Sequence, residues 1–182
     1  MGSFKPMWLL VGLAAVAVGA AVGILFSNPA PQPVEVPTPP VESREINVTL
    51  YWLNSQGDRL VAVPKVVKEK SIAQALKLAL QSLIKEPPSD GKSTSAIPRD
   101  TEILDLQING KEIRVNLSQA FQQGGGTASI RGRILQLLYT LTSLEPDAQV
   151  YLAIEGKPVE YLGGEGLEVR QPMTRKDYPD AL

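Results

Sequence analysis

Five cations stand where helical patterns begin: Lys65, Lys68 and Lys70 ahead of the first, Arg131 and Arg133 in the second. Basic residues in a helix's first turn oppose its dipole, so their presence there points to an acidic partner surface, and all five are candidate interaction residues. Solubility is the ordinary role of such charges. Gly124-Gly125-Gly126 precedes the second pattern and could cradle an anion on backbone N–H groups. It lacks the lysine and hydroxyl partners of a phosphate-binding loop and reads as a flexible connection. The pairs Asp100/Glu102 and Glu165/Glu168 have the residue types of a glycosidase's two carboxylates. Both lie in loop or edge regions, where solvated charge is the usual reading. There is no histidine and no cysteine, which removes the usual general base, the commonest metal ligand, and every Ser-His, Cys-His or thiolate arrangement. No catalytic residue, cofactor site or metal site is assigned, and the chain is expected not to be an enzyme.

The elements that would position these residues are those of one domain behind an apolar segment. Of 182 residues, 43% are apolar and 20% charged, the composition of a folded chain. Basic and acidic residues number 18 and 19. Without Lys5, Arg44, Glu35 and Glu42 the remainder from residue 45 onward carries 16 and 17 (18 − 2 and 19 − 2). A near-neutral domain offers no electrostatic basis for binding nucleic acid.

From Met7 to Phe26 run twenty residues without a charge (7 to 26). At about 1.5 Å rise per residue a helix of that length matches the roughly 30 Å hydrocarbon core of a bilayer. Trp8 lies near one boundary, and Lys5 is the one basic side chain before the run. The positive-inside rule puts residues 1–6 in the cytoplasm and residues 27–182 across the membrane. The run is longer than a secretory signal's apolar region and is followed by prolines, which favours a retained anchor. Gly12, Ala15, Gly19 and Gly23 form one smooth helix face suited to packing against a second span. Residues 27–44 carry Pro29, Pro31, Pro33, Pro37, Pro39 and Pro40, an extended spacer. Residues 45–182 form the extracytoplasmic domain.

Within it, Ile46, Val48, Leu50 and Trp52 alternate with polar residues and predict a strand, and Gln56-Gly57-Asp58 turns into another over Arg59 to Val67. Ser71 with Gln74 makes a capping box for a helix through Leu83, stopped at Pro87-Pro88. A polar loop, Ser89 to Pro98, leads to strands on either side of Asn109-Gly110, a hairpin signal. Ile130, Ile134, Leu137, Leu138, Leu141 and Leu144 keep helical spacing, with Gln136 on the face opposite Leu138. Val150, Leu152 and Ile154 make a fifth strand, and a short one is expected near Leu167 to Arg170. The order β-β-α-β-β-α-β predicts an α+β fold, two helices on one face of a mainly antiparallel sheet.

The domain resembles the GerMN domain, named from a bacterial sporulation and spore germination protein. The likeness runs from Ile46 to Arg175. It rests on Ser95-Ala96-Ile97-Pro98-Arg99-Asp100-Thr101 before a strand, Val115-Asn116-Leu117-Ser118 with Phe121 after it, Tyr139-Thr140-Leu141-Thr142 late in the second helix, and the strand and turn from Val150 to Gly156. Asn116 stands where the family commonly has Asp, and Arg131-Gly132-Arg133 replaces a more acidic helix start. Many relatives are lipoproteins or carry a second copy of the domain; here there is one copy and no cysteine to acylate. The resemblance implies a non-catalytic envelope module, similar in fold to ring-building motifs that assemble side by side, and hence a scaffold working through protein contacts or self-assembly. The alternative is a module that binds a cell-wall polymer such as peptidoglycan.

Overall fold

The β1 strand, Arg44–Asn54, lies at the centre of the domain: β2, Leu60–Glu69, pairs with it antiparallel along its length, and both helices pack on it. A computed structural model describes residues 42–89 and 91–179. The expected anchor at 7–26, with Gly12, Ala15, Gly19 and Gly23, and nearly all of the expected spacer lie outside them. Among the described residues no helix is long and apolar enough to cross a membrane.

The helix α1, Ile72–Lys85, starts where expected, with Ser71 Oγ accepting from the Gln74 N–H at 3.2 Å. Its Ala75, Leu76, Ala79, Leu80 and Leu83 are buried. A two-residue strand, β3 (Ser93–Thr94), pairs with the end of β1 inside the stretch read from sequence as loop. Then come β4, Ile103–Asn109, and β5, Glu112–Leu117. Their turn residues are Gly110 and Lys111, one position later than the Asn-Gly signal suggests, because Asn109 pairs with Glu112. Of the turn pair only Gly110 has positive φ (60°), the pattern of a turn with glycine first.

A 3-10 turn, Gln119–Gln122, leads into α2, Thr127–Leu141. β6, Gln149–Ile154, follows and pairs with β5 in parallel, since α2 serves as the crossover that parallel neighbours require. The rest is short: β7, Lys157–Pro158, then β8, Tyr161–Leu162, pairing with β9, Leu167–Glu168. The expected α+β class with two helices and mostly antiparallel strands holds. The single expected sheet is divided, into β2-β1-β3, β4-β5-β6-β7 and the small β8-β9 pair. Inward residues of β1, β5 and β6, among them Trp52, Val115 and Leu152, share one core with α1 and α2.

The helix α2 is buried almost all round, including polar Gln136 and Thr140 at 0% exposure. This corrects the expectation that Gln136 faces solvent. The Gln136 amide accepts from the Ala96 N–H (2.8 Å) and donates to the Tyr51 carbonyl (3.3 Å), and Thr140 Oγ1 accepts from the Tyr51 N–H (3.1 Å). The helix therefore completes the hydrogen bonding of a β1 residue that β2 does not reach. One turn earlier is Gly132, where a Cβ would stand 2.9 Å from Leu53 Cδ1. Gly132, Gln136 and Thr140, spaced by four, form the stripe that touches β1.

Leu138→Ala should cost about 2–5 kcal/mol, as for other buried large-to-small changes. Gln136→Ala should cost about 1–3 kcal/mol through the polar backbone groups it strands. Urea unfolding of both variants checks this, and a Gln136→Ala loss within about 0.5 kcal/mol would return that residue to the surface.

Candidate functional site

The five cations singled out from sequence do not form one surface. Lys65 lies on the same side of β2 as buried Val67, two residues on, and its Nζ reaches Ser82 Oγ (2.5 Å) and Glu86 (3.1 Å) on and just beyond α1. It is a strut between strand and helix. Its hydrogen bond and positive charge, with a further bond from Ser82, hold the Glu86 carboxyl below the usual carboxylate range. Lys68 and Lys70 are exposed, and strand alternation puts Lys68 on the face opposite Lys65. Arg131 is half-buried and lines a concavity with Glu168, Arg170, Asp177 and Tyr178.

Arg133 is a correction: it is 4% exposed, not a surface charge. Its guanidinium donates to the carbonyls of Phe121 (2.7 Å), Gln123 (2.9 Å) and Gly124 (2.8 Å). These carbonyls end the 3-10 turn and open the glycine loop, so the cation meets the negative end of a short helical turn. Burial lowers its pKa from the ordinary arginine value, but arginine keeps its proton in proteins. Gly125 (φ 75°) makes room for it, since a Cβ there would lie 2.6 Å from Ser129 Oγ and 3.0 Å from the guanidinium. Arg133 was misread because a cation at a helix start reads as solvated until the loop that folds over it is seen.

The glycine loop leaves no open anion cradle. The Glu165 carboxylate accepts from the Thr127 backbone N–H (3.1 Å) and from the Thr127 hydroxyl, occupying the first turn of α2 where an external anion would bind. Those two bonds, hydroxyl first, lower the Glu165 pKa. Glu168 faces the separate concavity beside Arg131; the carboxylates paired by sequence do not flank one cleft. Asp100 and Glu102 are exposed on either side of buried Thr101.

Two other surfaces have shape. The outer face of β4-β5-β6-β7 holds a groove of about 270 Å³ lined by Asp105, Gln107, Arg114, Asn116, Tyr151 and Gln171, among others. The Arg114 guanidinium lies 4.4 Å from the Tyr151 ring centroid and pairs with Glu112 at 2.9 Å. Asn116, the departure from the family's Asp, accepts from the Gly156 N–H (2.8 Å) and so holds the β6–β7 turn. At the other end an apolar concavity of about 210 Å³ lies among Ile72, Leu76, Ile108, Leu141 and Leu144.

Sequence reasoning also missed Arg175. Its guanidinium lies 4.5 Å from the Tyr139 ring centroid and donates to the carbonyls of Tyr139 (3.0 Å) and Thr142 (3.1 Å), closing the carboxyl end of α2. Only its distance in sequence from that helix end hid the cap.

The two helices, the split antiparallel sheets and polar side chains spent on internal support define an α+β module of the GerMN type. The chain belongs to the Germane family, described as sporulation and spore germination, whose model matches residues 49–160. Among solved structures it is similar to the tandem GerMN domains of the sporulation protein GerM from Bacillus subtilis, at 19% identity and a TM-score of 0.59, covering 74% of this chain and 48% of that one. This chain thus spans about half of the tandem protein. The first GerMN domain alone matches at 19% identity and a TM-score of 0.57, covering 72% of this chain and 99% of that domain. A putative lipoprotein from Clostridium perfringens matches at 16% identity and a TM-score of 0.55, over 78% and 93% of the two chains. No curated protein matches the chain.

Arg133→Ala should destabilise the domain by about 1–3 kcal/mol by stranding carbonyls, and Lys should rescue little because it lacks the fork. Lys68→Ala should stay within about 0.5 kcal/mol in the same melts. The lowered carboxyls of Glu165 and Glu86 contribute stability that is full above the unfolded glutamate value of about 4.3. It is lost as pH falls through their folded values. Stability followed from pH 7 downward should hold to about pH 5 and then drop, with a shallower drop in Glu165→Gln.

Proposed function

We propose that this protein is a non-catalytic, membrane-anchored envelope protein whose domain is an assembly module working through protein contacts. The carrying observation is that the domain spends its reactive-looking groups on itself. Arg133 closes the 3-10 turn, Glu165 fills the start of α2, and Lys65 ties β2 to α1. What is left for partners is exposed surface: strand edges, the outer sheet face, and Lys68 and Lys70. Membership of a sporulation and germination family supports a role in the cell envelope, and likeness to a putative lipoprotein supports a domain held outside the cytoplasm. The anchor at 7–26 rests on the length and composition of that run. Modules of similar fold that assemble side by side supply the mode of action.

A second reading, binding of a wall polymer, is favoured by the groove on the outer sheet face, where the Tyr151 ring sits among amide side chains.

The full-length chain should stay in the membrane pellet after high-salt and carbonate washes and should capture envelope proteins from native membranes. Lys68→Glu with Lys70→Glu should weaken capture with stability nearly unchanged, since exposed charges contribute little to folding. Lys157→Glu with Lys176→Glu, also exposed, controls for net charge. Recovery of a soluble product starting near Ala30 or Pro31 would refute the anchor. A chain that captures no protein but sediments with cell wall would establish the second reading.

A further inference from the structure

The hydrogen-bonding phase of β1 can be followed residue by residue. The Asn54 N–H donates to the Arg59 carbonyl, on the β2 side. Leu53 pairs across the other edge with Thr94, and both backbone groups of Tyr51 are met on that edge by Thr140 and Gln136. Even-numbered β1 residues therefore bond β2, and odd-numbered ones point to the opposite edge. Along that edge β3 meets Leu53 and α2 meets Tyr51, and there the cover stops. The outward N–H and C=O groups of Thr49, Asn47 and Glu45 have no hydrogen-bond partner among the described residues. Glu45 and Asn47 are exposed and Thr49 is half-buried.

The edges of β2, β4 and β7 each carry a device that discourages pairing. On β2 the outward series includes Pro64, opposite Thr49, which has no N–H to offer, with Lys65 and Lys68 nearby. The edge of β4 is broken by an irregularity between Ile103 and Asp105. β7 is two residues long and ends in Pro158. The stretch from Glu45 to Thr49 has no proline, no lysine and no bulge.

We propose that this open stretch is where two copies of the chain join, β1 to β1, in antiparallel pairing about a two-fold axis through Asn47. The stretch complements itself. In that register Asn47 faces its own copy and Glu45 faces Thr49, so each outward N–H meets a carbonyl and each carbonyl an N–H. Its one charge, on Glu45, lies opposite a neutral residue, which avoids the penalty of like charges across strands. Ile46 and Val48, both core-facing, come opposite each other and extend one apolar face across the junction. Gln136 and Thr140 block pairing beyond Thr49, which confines the contact to a short segment. Such a contact falls well below the roughly 800 Å² per partner of a stable interface. The pair is therefore weak in free solution and depends on the raised local concentration that tethering to one membrane supplies; in this it rests on the anchored-assembly reading.

Because the chain has no cysteine, single introduced thiols report proximity without background. Full-length Asn47→Cys, reconstituted in phospholipid vesicles and oxidised with copper–phenanthroline, should run as a disulfide-linked dimer, since facing Cα atoms about 5.5 Å apart lie within disulfide reach. Glu45→Cys mixed with Thr49→Cys should also crosslink, while Glu45→Cys by itself should not. Val66→Cys, on the 60% exposed valine of β2, should stay monomeric. Monomeric Asn47→Cys, or equal crosslinking at residue 66, would overturn the pairing. If Asn47→Cys stays monomeric while the same vesicles still capture an envelope protein, the pairing fails and the assembly reading stands.

Discussion

The stripe of Gly132, Gln136 and Thr140 against β1 is the contact on which the rest of the domain depends. A strand at the middle of a fold exposes polar backbone on both edges, and a buried, unpaired amide costs as much as a lost hydrogen bond. Here an α-helix takes the place of a neighbouring strand. The Gln136 carboxamide, with one acceptor and one donor end, lies between the Tyr51 carbonyl and the Ala96 N–H much as a peptide group would. Gly132 permits the close approach. Once α2 is fixed in this way, Arg133 is aimed at the turn after β5, Ile130 receives the loop at Gly163, and Tyr139 presents its ring to Arg175.

Much of the fold was legible because it follows from two periodicities. Alternation along Ile46 to Trp52 and along Ile113 to Leu117 gave the strands, and the spacing from Ala75 to Leu83 with the cap at Ser71 gave the first helix. What was not legible has a common cause. Gln136, Thr140 and Arg133 are polar or charged, and a rule that assigns such residues to solvent fails when long-range neighbours satisfy their hydrogen bonds. Their partners Tyr51, Ala96 and Phe121 lie in other elements, beyond the reach of any local pattern. The one-residue offset at Gly110 is different in kind, because the hairpin and its glycine were read correctly and only strand register could choose between Asn109-Gly110 and Gly110-Lys111 as the turn pair. The parallel pairing of β5 with β6 follows from the helix that joins them, and could have been argued from their order.

The candidate site fared less well, for a reason that bears on function. Sequence features that suggest chemistry, such as a glycine run, paired carboxylates and helix-start cations, are also the tools by which a cysteine-free domain holds itself together. Glu165 on the first turn of α2 uses the same physics as a phosphate site, with the protein's own carboxylate as the anion. A module built this way keeps its outer sheet face and the open stretch of the β1 edge as exposed surface.

The docking of α2 on β1 also orders events in time. Tyr51 and Gln136 are 85 residues apart in the chain, and Tyr51 and Thr140 are 89 apart, whereas the β1–β2 and β4–β5 hairpins close over a few residues. Closing a long loop costs chain entropy before any contact rewards it. The hairpins are therefore early structure, and the seating of Gln136 is the late, committing step of folding. During synthesis β1 emerges well before the helix that will cover it, and for that interval its edge from Glu45 to Leu53 is open along its whole length.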